Sequence, residues 1–176
     1  MSRIEPLPLE EADPSARQQL EAHVAKYGRT TNMKRTMARS PLVLHAYMHW
    51  YDLHAEVVGF LGERATMLFA HAISSETDCL ICSTFFRRWL IQSGENPDSL
   101  QLAQREQALV DFGRQLARNA NSVSDELYAR LAALLTPEQI VALTGFAGLM
   151  IATNLFNNAL KVDLDEYLFP FRKAAQ

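Results

Sequence analysis

Cys79 and Cys82 are the only two cysteines of the chain, and they stand three residues apart in Asp78-Cys79-Leu80-Ile81-Cys82-Ser83. On a helix, residues at i and i+3 share a face and their α-carbons lie about 5 Å apart. That spacing falls inside the disulfide window of about 4.4–6.8 Å, so the two thiols can close and open a bond with little backbone movement. Ser75-x-x-Asp78 has the spacing of a capping box and predicts a helix start just before the pair. Thiols in the first turns of a helix feel its positive end, which favours thiolate and lowers the thiol pKa. Asp78 acts the other way, because a neighbouring carboxylate disfavours a second negative charge. A cap at Thr77 makes Cys79 the second helical residue; a cap at Ser75 makes it the fourth, where the field is weaker.

Three other readings of the pair stay open. Zinc asks for about four ligands, and two thiols alone would need a site shared between subunits. A thioredoxin-type motif needs a strand feeding the pair, whereas helix signals flank this one on both sides. Free cysteine is also among the most buried residue types, so both thiols can serve as small hydrophobes.

The elements that hold the pair read as helices. Seven glycines and seven prolines in 176 residues fall below the average usage of about 12%, against a turn-rich β-sandwich or barrel. Asp13-Pro14 opens a helix that Gly28 stops. Asn32 opens a short one through Arg39, and Ser40-Pro41 a longer one that Gly59 and Gly62 interrupt. Further helices run over 63–73, from the cysteine pair to Gly94, over 104–119 and from Ser124 to Leu135. Thr136-Pro137-Glu138-Gln139 combines a cap, a first-turn proline and a capping-box glutamine before an apolar helix. The expectation is one all-α domain over 1–176, a bundle of about seven or eight helices with 1–30 as an N-terminal helical extension.

Composition narrows the partners. A hydrophobic share of 48% with 21% charged residues argues against disorder, and a net charge of −3 gives no basic footprint for nucleic acid. Met1-Ser2-Arg3-Ile4-Glu5-Pro6 lacks the apolar core of a secretory signal. The apolar run from Ile140 to Thr153 is shorter than the ~18 residues of a membrane span and reads as a helix buried on nearly all sides. The plain expectation is a cytoplasmic protein without a membrane partner, and the apolar helix and aromatic segments predict a homo-oligomer.

Several segments around the pair resemble the carboxymuconolactone decarboxylase family, and within it the AhpD-like alkyl hydroperoxidase branch. The resemblance runs from about Asn32 to Leu168. It includes the helix 63–73 leading into C-x-x-C, Gly94, Ala108-Leu109-Val110-Asp111-Phe112 and Val123-Ser124-Asp125-Glu126-Leu127. It continues through Leu135-Thr136-Pro137-Glu138-Gln139-Ile140-Val141 and ends at Asn154-Leu155-Phe156-Asn157-Asn158-Ala159-Leu160. The resemblance implies an all-α fold, self-assembly and a thiol–disulfide couple in which Cys82 attacks a peroxide and Cys79 resolves. No cofactor is expected, and two thiols without further ligands lead to no expected metal.

Two positions depart from that pattern. The resemblance places a relay glutamate where this chain has Met67 and a relay histidine where it has Phe86, and neither side chain passes a proton. Peroxide reduction asks for a thiolate on one oxygen and a proton for the other as it leaves. His71, one turn beyond Met67 and nearer the cysteines, is the candidate replacement, since imidazole titrates near pH 6.5; packing among Met67, Leu68 and Ala70 is the alternative. Glu76 and the Arg87–Arg88 pair read as helix-end and solvated charges. His45, His49 and His54 read as packing or interface residues, because no carboxylate completes a metal triad with them. Phe85, Phe86 and Trp89 extend the cysteine face as an apolar stripe, suited to an organic hydroperoxide or other small apolar ligand. The expected function is therefore a thiol-dependent antioxidant enzyme recycled by a dithiol reductant protein. The alternative is a catalytically impaired relative that binds or assembles, with a filled pocket and ordinary or raised thiol pKa values.

Overall fold

The computed structural model describes residues 2–173. The helix boundaries follow the local chemistry. Asp13 Oδ1 accepts from the Ser15 backbone N–H at 2.9 Å, and Pro14 occupies the first position of α1 (Pro14–Tyr27), which ends at Gly28 with φ 78°. Thr31 caps α2 (Asn32–Met37) and Ser40-Pro41 opens α3 (Pro41–Met48). Next come α4 (Trp50–Leu61), α5 (Glu63–Glu76), α6 (Leu80–Gln92) and α7 (Gln104–Asn119). Ser124 caps α8 (Asp125–Ala132), and the Thr136–Gln139 capping box forms in both directions, at 3.3 and 3.0 Å, to start α9 (Pro137–Leu160). Short 3₁₀ turns cover Leu9–Glu11, Ala120–Ser122 and Glu166–Phe171, and there is no strand among the described residues.

These nine α-helices exceed the seven or eight expected because the segment after Pro41 breaks at His49, with no glycine or proline to mark it. The break lets one stretch serve two cores. Helix α3 packs on α1 and α2, where Leu7, Ala16, Leu20, Met37 and Leu44 form a smaller cluster, whereas α4 packs on α5 and α9. Gly59 stays inside α4, and only Gly62, at φ 84°, stops it.

The main core surrounds α5, which touches α4, α6, α7 and α9 and buries every residue from Ala65 to Ser74 except His71. Phe69 packs against Gly113 of α7 so closely that a β-carbon there would lie 3.0 Å from the ring. Glycine at 113 therefore sets the α5–α7 distance. Helix α9 is long and apolar enough by composition to cross a membrane, yet it packs as a core helix: Leu143, Phe146, Ala147 and Met150 are buried against neighbouring helices. It is not buried on nearly all sides, because Val141 and Leu155 are 72% and 65% exposed.

Candidate functional site

The cysteine pair sits at a junction between two helices rather than inside one. Ser75 and Asp78 form no capping box. Instead α5 runs on through Ser75 and Glu76, and Thr77 closes it. The Asp78 N–H donates to Ser75 O at 3.3 Å and the Cys79 N–H to Ser74 O at 3.0 Å, with Asp78 at φ 50°. This is the paired-bond ending in which a left-handed residue reverses the chain, a place that glycine usually takes and that aspartate tolerates. The very next residue, Cys79, is the N-cap of α6, and Cys82 is its third helical residue.

An N-cap side chain faces the first free N–H groups of its helix. The neighbouring Cys82 thiol favours a thiolate on Cys79 most, and the backbone N–H groups of Cys82 and Ile81 and the Asn157 amide favour it further. These effects outweigh burial and bring the Cys79 thiol down to about 7. Cys82 moves the opposite way, well above the ordinary thiol value, because its proton is held by Cys79 and because it is buried. Both cysteines are free, with no disulfide between them. The opposite shifts favour the resting negative charge on Cys79 over Cys82.

Asn157 of α9 completes the arrangement. Its side-chain amide donates toward Cys82 Sγ at 3.4 Å, Cys79 Sγ at 3.9 Å and Met33 Sδ at 3.3 Å, while its buried carbonyl oxygen has no partner among the described residues. Asn154 donates to Thr77 Oγ1 at 2.9 Å and Asn158 to Thr77 O at 2.9 Å. The three asparagines thus bind the end of α9 to the turn carrying the thiols.

A cavity of about 490 Å³ opens beside the pair and is lined by Cys82 but not by Cys79. Met67 and Phe86 line it as well, so the two positions where the resemblance places proton-relay groups are apolar walls. His71 is absent from the lining. Its charged neighbours are Arg87, Arg114, Asp98 and Lys173, and burial depresses its imidazole to about 4. The other charges also find structural partners: Glu76 accepts from Arg118 at 2.8 Å, and Arg87 pairs with Asp98. His49 pairs with Asp52 at 2.8 Å, and His54 stacks on Trp50 with ring centroids 4.7 Å apart. No group of three or more metal-ligating side chains occurs among the described residues.

The sequence did not single out Lys34. It lies on α2, is 6% exposed, lines the same cavity and makes no ion pair among the described residues. Burial lowers its ammonium to about 8, partly opposed by the negative charges of Asp165 and Cys82. It therefore remains a cation at neutral pH, poised to favour thiolate on Cys82. The available signal is local: a lysine on a short helix between Met33 and Met37, with no acidic residue three or four positions away.

Solved structures share this arrangement of helices. The chain superposes over 96% of its length, with TM-score 0.81 and 19% identity, on 94% of an AhpD-core, uncharacterized peroxidase-related protein from Ralstonia eutropha JMP134. The fold is that of the AhpD core. A peroxidase-related protein from Silicibacter sp. TM1040 matches with TM-score 0.72 and 20% identity, over 92% of this chain and 91% of that one. The debrominase Bmp8, in a cysteine-to-alanine variant bound to 2,3,4-tribromopyrrole, matches with TM-score 0.78 and 16% identity over 96% and 94% of the chains. No family model and no curated protein matches the sequence.

Proposed function

We propose that the protein reduces an organic hydroperoxide with the Cys79–Cys82 pair and is returned to the dithiol by a partner dithiol protein, in a cytoplasmic setting. The observation that carries this reading is the division of labour in the pair: Cys82 faces an open cavity while Cys79 holds the low-lying charge behind it. The proton between them first passes to Cys79 Sγ, leaving Cys82 as thiolate. The Cys82 lone pair forms a bond to the outer peroxide oxygen, the O–O bond breaks, and its electron pair leaves on the alkoxide. Lys34, which lines the cavity and whose charge acts on Cys82, gives the alkoxide its proton. Cys82 is then a sulfenic acid. Cys79 attacks that sulfur, and hydroxide departs with the Cys79 proton as water. The partner dithiol is oxidised as it reduces the disulfide, and the regenerated Cys82 thiol reprotonates Lys34. The open cavity and the lowered Cys79 thiol weigh against an impaired relative with a filled pocket, whereas the raised Cys82 thiol is what that alternative expects.

A second reading draws on the fold shared with a debrominase and on the methionine and aromatic lining. Cys82 thiolate would take bromine from a ring carbon, which keeps the bond's electrons and gains a proton. Cys79 would then displace bromide from sulfur and form the same disulfide. Mass spectrometry after stoichiometric cumene hydroperoxide tests the first reading: a Cys79–Cys82 disulfide is expected, and Cys82→Ser abolishes it. Thiols left unmodified by the hydroperoxide, together with bromide release from 2,3,4-tribromopyrrole, would replace the first reading with the second.

A further inference from the structure

The walls of the cavity carry chemical selectivity that thiol reactivity alone does not require. Nine of its lining side chains are aromatic or imidazole rings and five are methionines, against two branched aliphatic residues. Flat rings and polarisable sulfur pack best against another flat, polarisable body. Its charges are equally one-sided. Lys34, Arg29 and Arg88 line it, with Asp165 as the only carboxylate among the lining residues. Burial holds His23 near 4 and lowers His54, so the histidines add no charge at neutral pH.

Two of these cations share one anchor. The guanidinium carbons of Arg29 and Arg88 lie 4.4 and 5.1 Å from the Tyr167 ring centroid. Neither arginine has an ion-pair partner among the described residues. Two like charges gathered on one ring repel each other, and an anion placed between them relieves that repulsion. Arg29 is exposed, Arg88 is half-buried, and Cys82 is buried, so the arginines mark the open side of the cavity and the thiol its floor. Among the described residues Asp165 Oδ2 and His54 Nε2, both from lining residues, are buried without partners and can bond a polar substituent.

We infer that the cavity selects a flat aromatic anion, its acidic group held by Arg29 and Arg88 and its ring lying over Met67 and Phe86 toward Cys82. This inference rests on the proposed thiol chemistry and names its substrate class, an aromatic electrophile carrying a carboxylate or similar acid. Aromatic stacking supplies affinity, and the cations supply discrimination.

The test is a binding measurement on the reduced full-length protein with three probes of one shape: 2-naphthoate, 2-naphthalenemethanol and 2-naphthylmethylammonium. Trp50 lines the cavity, so its fluorescence reports occupancy, and calorimetry gives the affinity. Naphthoate is expected to bind about tenfold tighter than the alcohol, with the ammonium weaker than both. The double variant Arg29→Gln/Arg88→Gln is expected to lose about tenfold in naphthoate affinity while keeping the alcohol within about twofold, a split that general loss of structure does not produce. Equal affinity for acid and alcohol, no binding of either, or an unchanged double variant would overturn the inference. Disulfide formation with cumene hydroperoxide, which carries no acid, is read separately. It would persist if only the substrate class were wrong and vanish if the thiol chemistry were wrong.

Discussion

The two sides of the α5–α6–α7 layer treat charge in opposite ways. On the outer side three arginines have found carboxylates: Arg64 bonds Glu95 and Glu106, Arg87 bonds Asp98 and Arg118 bonds Glu76. On the cavity side Lys34, Arg29 and Arg88 have no such partner among the described residues. Satisfied pairs hold helices together, whereas a charge without one, above all the buried Lys34, is left to act on a ligand, a thiolate or a transition state. The difference separates stability from chemistry. It also places His71, which shares its surroundings with Arg87 and Asp98, with the structural side.

Breaking the cavity side should stop or slow the thiols. The largest effect is expected for Cys82→Ser, which removes the group facing the cavity and should leave no disulfide after hydroperoxide treatment, read by mass spectrometry. Next is Lys34→Met. Losing a buried cation beside Cys82 should slow disulfide formation at pH 7 about tenfold, the equivalent of one pKa unit, while Lys34→Arg keeps the charge and restores part of the rate. Asn157→Ala removes the amide that reaches both sulfurs and should slow the reaction by a few-fold with a stability loss of about 1–3 kcal/mol, read by stopped flow and urea unfolding.

Breaking the outer side should do the reverse. Arg64→Met is expected to cost about 1 kcal/mol of unfolding free energy and leave the thiol rate unchanged. His71→Leu should likewise leave that rate alone. Its imidazole is held neutral down to about 4, below the ordinary value of 6.5, so the unfolded chain binds more protons between those values. Stability present above pH 6.5 is therefore lost as pH falls toward 4, and the variant should show a shallower loss in melting temperature. A peroxidase defect in His71→Leu at pH 7 would erase the distinction between the two sides.

Helix punctuation was legible because it is local. Asp13-Pro14, Ser124 and Thr136-x-x-Gln139 cap the helices their spacing predicts, and the C-x-x-C pair stands near a helix start. The junction at Cys79 was not legible, because an aspartate rather than a glycine takes the left-handed position that ends α5. The split between α3 and α4 at His49 reflects two cores competing for one segment, which no local residue encodes. His71 was misplaced by helical spacing: one turn from Met67 it shares a stripe, yet only Met67 reaches the cavity. Lys34 escaped for the opposite reason, and Asn157 was legible only as one asparagine of the motif that closes the last helix. They come from α2 and α9, distant in sequence, and only the tertiary packing brings them to Cys82.

The division of charge within the pair is tested most directly by the pH dependence of disulfide formation with an organic hydroperoxide, followed in single-turnover stopped flow. With the Cys79 thiol near 7, the rate should rise with an inflection close to pH 7 and level off above it. An inflection at or above the ordinary thiol value of about 8.5 would contradict a pair prepared by the α6 N-terminus and Asn157.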